Sequence, residues 1–457
     1  MENSRKLYHH PMQAAAAFRE LYQEFKNSSA LRRSCGVEQT VSQYCTRWYR
    51  LDQFYRQFCC SLAGPVKPSP ASRCLREEIE QDYLNFQHVL NLNWHEQVLR
   101  LIEEKRRRIP DPEQARTLSL WDQTCSGIFP QCRFYHDVVA PACASSRVCV
   151  IISDGLRYEM GEELQRFLAH HPDCGDTKLK FNKGPGPGAM LAALPSYTQL
   201  GMAALLPHDT LEILYNGDVL ADNGFSTSGI FYRSQMLKRV NPGSAALKLT
   251  SLQDREPAPG IRKKLQSCSL LYLWQNVIDS AGHHYDNEDP EAAEDSTDDP
   301  EEDAEAASEY APESDPGPAV YEKINSAILK VFHYSNRKIR HFFITSDHGF
   351  LFQHSKPGAT ELIHAGPEAL PGGKACPPLS RRFVLGWDLN PRPEIFDTFK
   401  PEDLGLEGDL EVQLPCNCQR LQPQNRDEGG CFAHGGCSLQ EVVVPLIEIT
   451  VLPQTRP

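Results

Sequence analysis

The amino-acid sequence predicts an α/β protein in which a helical region precedes a doubly wound, largely parallel β-sheet. The first observation is an amphipathic pattern between Ala14 and Arg108, rich in Leu, Gln, Glu, Arg and aromatic residues, which is typical of helices. The second is a series of short apolar runs, after Pro112, that alternate with helical segments. The 457 residues are enough for one large α/β domain and a smaller accessory region.

The helical region is predicted to occupy residues 1–112. Segments such as FRELYQEF, RWYRLDQFYRQF and EQVLRLIEEKRRR repeat apolar residues every three or four positions, which places them on one face of a helix. Pro110 and Pro112 then break the pattern, because proline lacks the amide hydrogen that a helix interior requires. A change to strand-like sequence follows.

Five apolar runs beyond this region have the length and composition of β-strands. Continuous apolar runs of this kind are typical of parallel sheets that are covered by helices on both faces. The predicted strands are VCVIIS (148–153), LLYLW (270–274), HFFIT (341–345), RFVLGW (382–387) and VVVPLIEI (442–449). We therefore predict a single α/β domain over residues 145–450.

An acidic segment at residues 285–319 interrupts this domain. It is dominated by Asp, Glu, Ala, Ser and Pro, and it cannot bury enough apolar surface to offset the entropy lost on ordering. We therefore predict a disordered insertion. Mimicry of nucleic acid and binding of cations are the alternatives for so acidic a segment.

Overall charge and hydropathy exclude two classes of protein. A formal net charge of -13 at pH 7 argues against a protein that holds nucleic acid through overall positive charge, although a local basic groove remains an alternative. No stretch approaches the roughly 18 apolar residues of a membrane span, and the start, MENSRKLYHHPMQ, lacks the apolar core of a signal peptide. We expect a soluble, cytoplasmic protein with no membrane partner.

The sequence contains 16 cysteines without the density of a small secreted scaffold, so most are expected to be reduced and buried. One C-terminal group could bind a structural zinc ion, namely Cys416, Cys418, Cys431 and Cys437. Their spacing is irregular for a zinc site, and reduced thiols in a loop are the favoured interpretation.

Acidic residues and histidines cluster around the predicted strand ends. Ligands of doubly wound sheets bind beyond the carboxyl ends of the strands, so these positions are candidates for a site. The candidates are Asp154, Asp279, His283, Asp347, His348 and His434. Each has a simpler explanation when taken alone, such as a helix cap or a surface histidine.

Taken together, three aspartates and three histidines favour two close divalent cations. Carboxylate and imidazole ligands suit zinc, with manganese as the alternative, whereas magnesium prefers more oxygen ligands. A nucleophile is expected in LPSYTQLGMAALLP, because a helix begins there and its first amides attract phosphate. Thr198 and Ser196 are the two candidate hydroxyls, and an N-cap is the simpler role for either.

The order of these motifs resembles the alkaline phosphatase superfamily: an Asp after a strand, a hydroxyl at a helix start, D-x-x-x-H, D-H-G and a late H-G-G. The amino-acid sequences of the individual motifs resemble more closely those of the PglZ family, type A, of bacterial phage-defence (BREX) systems. The segments that carry this resemblance are VIISDGLRYE, LPSYTQLGMAALLP, ITSDHGFLFQ and HGGCSLQEVVVP, and it covers roughly residues 145–450.

The resemblance implies how the cations would be shared. One would be held by Asp279, His283 and His434, and the other by Asp154, Asp347, His348 and the nucleophile. It also implies a metal-dependent phosphatase or phosphodiesterase that works with other BREX proteins, with DNA as one candidate substrate.

Several positions depart from the superfamily pattern or need a role. Many superfamily members place the nucleophile two residues before the proline of the helix-start motif, a position that Ala193 occupies here. Arg157 could clamp a phosphate oxygen, and Tyr158 and Gln199 could orient it. For Arg157, an ordinary ion pair is the alternative.

Two functions from different classes fit these observations. The preferred one is a hydrolase in which a metal-activated Thr198 attacks a phosphate ester. The other is a non-catalytic subunit of the same defence complex, whose metals hold the fold while its helical region binds partners. A sulfatase is disfavoured, because no Cys-x-Pro-x-Arg motif occurs.

Overall fold

The computed structural model describes residues 11–28, 36–62, 70–108, 119–125, 127–171, 177–182, 188–285, 315–364, 374–375, 380–389, 392–422 and 430–453. Their helices are α1 (Pro11–Asn27), α2 (Val37–Gln43), α3 (Tyr49–Leu62), α4 (Pro70–Arg108), α5 (Ala140–Ser145), α6 (Tyr158–His170), α7 (Thr198–Ala204), α8 (Gly229–Val240), α9 (Pro259–Ser267), α10 (Val277–Tyr285), α11 (Gly317–Tyr334) and α12 (Leu439–Val442).

The strands fall into one large sheet and four small ones. The large sheet contains β1 (Phe129–Pro130), β2 (Arg147–Ser153), β3 (Thr177–Asn182), β4 (Ala189–Leu191), β8 (Ser244–Lys248), β9 (Leu270–Gln275), β10 (Ile339–Thr345) and β19 (Val443–Pro453). The small sheets contain β5 (Leu211–Ile213), β6 (Val219–Ala221) and β7 (Phe225–Ser226); β11 (Leu351–Phe352) and β18 (Phe432–Ala433); β12 (Leu362–His364) and β17 (Arg420–Gln422); and β13 (Lys374–Ala375), β14 (Val384–Trp387), β15 (Phe396–Phe399) and β16 (Glu411–Pro415).

The predicted helical region is confirmed. Helices α1, α3 and α4 pack around aromatic side chains, and Phe18, Tyr55 and Trp94 are fully buried. This core is continuous with one face of the large sheet, because the same apolar cluster contains Val148 and Val150. The helical region is therefore joined to the α/β part by a shared core.

The large sheet is mostly parallel and has helices on both faces, as the sequence predicts. Its strand order is β1-β4-β19-β10-β2-β9-β8, and β10, β2, β9 and β8 run parallel to one another. Side chains alternate along β2, so that Val148 and Val150 enter one core while Cys149 and Ile151 enter the other. Burial on both faces explains why this strand is apolar throughout.

Two predicted strands form but depart from the parallel arrangement of the others. The strand predicted at 382–387 forms as β14, but it belongs to the separate four-stranded antiparallel sheet. The strand predicted at 442–449 forms as β19 in the large sheet, yet it runs antiparallel to β10. Strand β8 was not predicted, because its short sequence SAALK has no distinctive pattern.

Two further predictions concern the acidic insertion and the cysteines. The insertion predicted at 285–319 lies mostly outside the described residues, which leave the chain at Tyr285 and resume with α11. Cys416, Cys418, Cys431 and Cys437 are all free thiols, and the described residues do not bring the four together around one point. In the described ranges, no helix combines the length and apolar character that crossing a membrane requires.

We expect Gly161→Ala to destabilise the fold by about 1–3 kcal/mol, because a Cβ there would lie 2.3 Å from the Pro445 side chain, between α6 and β19. The control is Gly260→Ala on α9, whose Cβ would meet nothing within 4 Å. Urea unfolding measures both changes. Equal stabilities of the two variants would contradict this packing.

Candidate metal centre at the carboxyl edge of the sheet

Three aspartates meet because three neighbouring parallel strands end at one edge. Asp154 directly follows β2, Asp279 lies in the first turn of α10 after β9, and Asp347 follows β10 by two residues. Strands β10 and β9 both pair with β2, so the carboxyl ends of all three strands are adjacent. All three aspartates are at least nine-tenths buried.

The turn after β2 is shaped by its neighbours. Gly155 has a positive φ of 67°, and a Cβ there would touch Asp279 at 3.4 Å. Its amide donates to Asp347 Oδ1 at 3.3 Å, and the Leu156 amide donates to Ser346 Oγ at 2.9 Å. The Asp154 and Asp347 segments are thereby held against each other.

His434 reaches the same edge because β19 is antiparallel. The pairing of Thr345 with Leu446 places the start of β19 beside the end of β10. His434 precedes this strand by nine residues, after β18, and its side chain is 4% exposed. Because β19 runs antiparallel, His434, which precedes it, lies beside the aspartates that follow the parallel strands.

One half of the cluster contains Asp279, His283 and His434, as the resemblance implies. Asp279 Oδ2 lies 3.4 Å from His283 Nε2, and Asp279 Oδ1 lies 3.7 Å from His434 Nε2. The two histidine Nε2 atoms are 3.4 Å apart. These donor atoms converge closely enough to share one cation.

The other half surrounds His348. Its Nε2 lies 3.4 Å from Asp154 Oδ1 and 3.5 Å from Asp347 Oδ2. Its Nδ1 donates to the carbonyl of Gly349 at 2.9 Å, which leaves Nε2 as the ring nitrogen that faces the cluster. The His348 and His434 rings stack at 4.1 Å and join the two halves.

Burial and mutual charge shift the acidities of the cluster. Burial favours a higher pKa for Asp279, but the adjacent His283, His434 and His348 rings outweigh it and hold this pKa well below its usual range. Burial raises the pKa of Asp347 despite the opposing charge of His348. Burial, aided by His348, lowers the pKa of His434 to about 3. His434 is therefore neutral near pH 7, which is the form that binds a metal.

The two candidate hydroxyls have different surroundings. Thr198 Oγ1 lies 3.0 Å from His348 Nε2, in contact with the cluster. Ser196 is fully buried, and its hydroxyl donates to the carbonyl of Gly436 at 2.6 Å. Ser196 thus holds the loop that follows His434, whereas Thr198 faces the candidate ligands.

Arg157 is not brought into the cluster. Its guanidinium is fully buried, forms an ion pair with Asp52 at 2.9 Å and lies 5.1 Å from the Phe350 ring centre. The described residues give its Nε and Nη1 no hydrogen-bond partner, but the guanidinium is buried and paired with Asp52, so the structure shows the ion pair that was the alternative to the predicted phosphate clamp. Gln199 is buried beside Thr198 in α7, and the Tyr158 hydroxyl donates to the carbonyl of Cys45 at 3.1 Å.

Asp52 is a residue whose role the sequence did not indicate. It is fully buried in α3 and accepts hydrogen bonds from the hydroxyls of Tyr44, at 2.9 Å, and Tyr83, at 2.8 Å. Besides Arg157, it contacts Gln440 Nε2 at 3.2 Å. Asp52 thereby links the helical region to segments that follow Asp154 and His434.

Glu441 anchors the H-G-G loop. Its carboxylate accepts the Gly436 amide at 2.8 Å and the Ser438 hydroxyl at 2.6 Å. It also forms a fully buried ion pair with Arg382 at 2.8 Å, which holds its pKa below the usual value against the effect of burial. The final Q-E of the motif HGGCSLQE therefore serves to position the loop.

Gln131 and Gly201 both contact the backbone of the Asp347 segment. The fully buried Gln131 amide donates to the carbonyls of Ser346 and Asp347 at 3.0 and 2.8 Å, and it accepts the Ala193 amide at 3.0 Å. A Cβ on Gly201 would lie 2.5 Å from the Asp347 carbonyl, so α7 can approach only with glycine there. No sequence motif that we identified pointed to Gln131.

Comparison with known proteins shows similarity to a defined family. The family described as BREX system PglZ alkaline phosphatase-like domain matches residues 134–449. The alkaline phosphatase-like protein BrxZ of Escherichia coli O9:H4 (strain HS) is 30% identical over 427 residues, which are 90% of this chain and 42% of that protein. The alkaline phosphatase-like protein PglZ of Bacillus cereus (strain H3081.97) is 24% identical over 89% of this chain and 40% of that protein. The chain thus spans about two fifths of the length of these relatives.

Solved structures show weaker similarity. Phosphonoacetate hydrolase from Sinorhizobium meliloti 1021 has a TM-score of 0.36 and 13% identity, with 68% of this chain and 92% of that chain covered. Murine ectonucleotide pyrophosphatase/phosphodiesterase 5 has a TM-score of 0.38 and 10% identity, with 66% and 88% covered. At this level of similarity neither structure informs the position of individual residues.

We expect Asp52→Asn to cost about 3–5 kcal/mol, because it leaves the buried Arg157 guanidinium without its charged partner. The control is Asp137→Asn, whose ion pair with Arg133 is exposed and contributes at most about 1 kcal/mol. Urea unfolding and the double variant Asp52→Asn/Arg157→Met test the coupling. Losses that add up in the double variant would show that the pair is not coupled.

Proposed function

The chain belongs to the PglZ family of alkaline phosphatase-like proteins, and from this premise we propose that it is a metal-dependent phosphoester hydrolase of a BREX-type defence system. The observation that carries the proposal is the convergence of three aspartates and three histidines at one edge of the sheet, with the Thr198 hydroxyl 3.0 Å from His348 Nε2. A phosphatase and a phosphodiesterase share this chemistry, so both belong to the proposal.

The residues present fit two divalent cations. Asp279 Oδ1 and Asp347 Oδ2 are buried oxygens that have no hydrogen-bond partner among the described residues. Buried oxygens of this kind are costly unless a positive charge compensates them. Separations of 3.4 to 3.7 Å between donor atoms suit ligands of a shared ion. Zinc suits this mixture of imidazole and carboxylate, with manganese as the alternative.

In the proposed reaction Thr198 supplies the attacking hydroxyl. Bound cations would lower the pKa of this hydroxyl and neutralise charge that develops on the phosphoryl oxygens. The Thr198 hydroxyl releases its proton to water and forms a bond to phosphorus as the P–O bond to the ester oxygen breaks. Water then hydrolyses the phosphothreonine and regenerates the hydroxyl. His348 orients the hydroxyl through the 3.0 Å contact at Nε2, which its Nδ1 bond to Gly349 directs towards the cluster.

The supporting groups keep this arrangement rigid. Ser196 and Glu441 hold the loop after His434, while Gln131 holds the Asp347 segment. Rigid support matters because a displacement of about 1 Å at a reacting group can cost about a hundredfold in rate. We assign these three residues to positioning.

Substrate and partners follow from the family membership as part of the same proposal. A phosphoester is the substrate class, with DNA as one candidate, and the other BREX proteins are the expected partners in the cytoplasm. The competing function is a metal-binding scaffold without catalysis. Ala193, at the position where many superfamily members place the nucleophile, favours that alternative.

We expect Mn²⁺ to stabilise the metal-stripped protein by about 2.7 kcal/mol at a hundredfold excess over its Kd, because only the folded chain gathers the ligands. Asp279→Asn should lose most of this gain, since Asp279 contacts His283 and His434. Thermal unfolding with and without Mn²⁺ measures it. The surface variant Asp137→Asn serves as control, and an equal gain in Asp279→Asn would place the ion elsewhere.

We expect hydrolysis of p-nitrophenyl phosphate or bis-p-nitrophenyl phosphate that requires Zn²⁺ or Mn²⁺. Thr198→Ala and Asp347→Ala should each lower kcat by at least about 10³-fold, because each removes part of the reacting cluster. Thr198→Ser, which keeps the hydroxyl, should retain more activity than Thr198→Ala. Turnover of the diester would indicate a phosphodiesterase, and turnover of the monoester alone a phosphatase.

Ser196→Ala separates the two hydroxyls in the same assay. Its loss of activity should be small beside that of Thr198→Ala, because within the described residues the Ser196 hydroxyl donates to the carbonyl of Gly436 and not to a candidate ligand. Full activity in Thr198→Ala would exclude Thr198 as nucleophile. Absence of turnover in folded, metal-loaded protein would leave the scaffold function.

A further inference from the structure

A second group of metal-ligating side chains lies outside the candidate active site. It consists of His95 in α4, Asp397 in β15 and Cys416, which directly follows β16. One donor atom from each residue lies within 4.8 Å of the other two. The group therefore joins the helical region to the four-stranded sheet, and it shares no residue with the Asp/His cluster.

Backbone geometry brings these three residues together. Strands β15 and β16 pair antiparallel with Phe396 opposite Pro415, and the Cys416 amide donates to the carbonyl of Ile395 at 2.9 Å. Asp397 and Cys416 therefore occupy neighbouring positions at one end of a hairpin.

Helix α4 packs against this hairpin end. His88 Nδ1 contacts the Asn417 side chain at 2.9 Å, and the Trp94 indole donates to the carbonyl of Cys437 at 2.7 Å. His95 follows Trp94 and lies two helical turns after His88, so its ring is fixed at the same contact.

The polar atoms of the group are incompletely satisfied. His95 Nε2 lies 2.6 Å from Asp397 Oδ2, but the approach is not aligned as a hydrogen bond, and this oxygen has no hydrogen-bond partner among the described residues. Asp397 is 5% exposed, so bulk solvent has little access to this oxygen. A buried carboxylate oxygen in this state is costly unless a cation lies near it.

We propose that His95, Asp397 and Cys416 bind one thiophilic divalent ion of the zinc class, with water as the fourth ligand. A thiolate and a carboxylate exactly balance the charge of a divalent ion when the histidine is neutral, which suits a site with little solvent. Donor atoms around one tetrahedral zinc ion lie about 3–4 Å apart, so the His95–Asp397 pair would open slightly to admit the ion.

The thiolate distinguishes this site from the Asp/His cluster, which contains no cysteine. Thiolate ligands favour zinc over magnesium, calcium and manganese. The ion would fasten α4 to the hairpin and add a cross-link between the helical region and the four-stranded sheet. Its role is structural and does not depend on phosphoester hydrolysis.

The test is Co²⁺ titration of the full, metal-stripped chain in an Asp279→Ala/His348→Ala background, which removes a ligand from each half of the other cluster. We expect one Co²⁺ per chain with a near-ultraviolet thiolate-to-cobalt charge-transfer band. The band should vanish in Cys416→Ser and persist in Cys418→Ser, the matched control two residues away. Circular dichroism confirms that each variant is folded.

Two outcomes would overturn the proposal. Absence of the band from the folded background protein would show that no thiolate site exists, and it needs no further variant. Persistence of the band in Cys416→Ser would assign the thiolate to another cysteine. Neither outcome affects the phosphoester proposal, because that activity is measured in the chain with an intact Asp/His cluster.

Discussion

The buried ion pair between Asp52 and Arg157 is the interaction on which the candidate site depends most. Arg157 directly precedes α6, three residues after Asp154, and Asp52 also contacts Gln440, six residues after His434. Removing a charged pair from water is costly, and here the cost is reduced by two tyrosine hydroxyls that donate to the same carboxylate. One side chain of the helical region thereby fixes the relative position of two loops from distant parts of the sequence.

The rigidity that this ion pair gives to the two loops also helps to explain why the cluster can hold several ionisable side chains close together. Burial favours protonation of a carboxylate at this sheet edge, as the raised pKa of Asp347 shows, and the nearby charge of Asp279 adds to the effect. Asp279 behaves oppositely because three histidines surround it. Such an arrangement persists only when rigid neighbours prevent the groups from separating. The ion pair of Arg382 with Glu441 and the Gln131 amide provide that rigidity from two further directions.

The sequence predicted features that depend on local pattern. The apolar runs of β2, β9 and β10 identified the parallel core, and residues after them identified most of the Asp/His cluster. Features that depend on remote pairing were missed. The run at 382–387 is apolar in either sheet, so its sequence could not reveal its partners. Arg157 lies in a motif that the sequence identified, but its ion-pair partner Asp52 is 105 residues away in the chain and could not be recognised from local pattern.

Asp52 also bears on what constitutes a complete folding unit in this family. The family match begins at residue 134, yet Asp52, Tyr44, Tyr83 and Asn91 all precede it. Loss of Asp52 alone would leave the buried Arg157 guanidinium without its ion-pair partner, and loss of Asn91 would remove the bond that Gln440 accepts at 2.9 Å. An uncompensated buried charge costs several kcal/mol, a large part of the stability of a typical domain. The helical region is therefore a physical part of the Asp/His site, because it contains the residues that hold the segments after Asp154 and His434 in place.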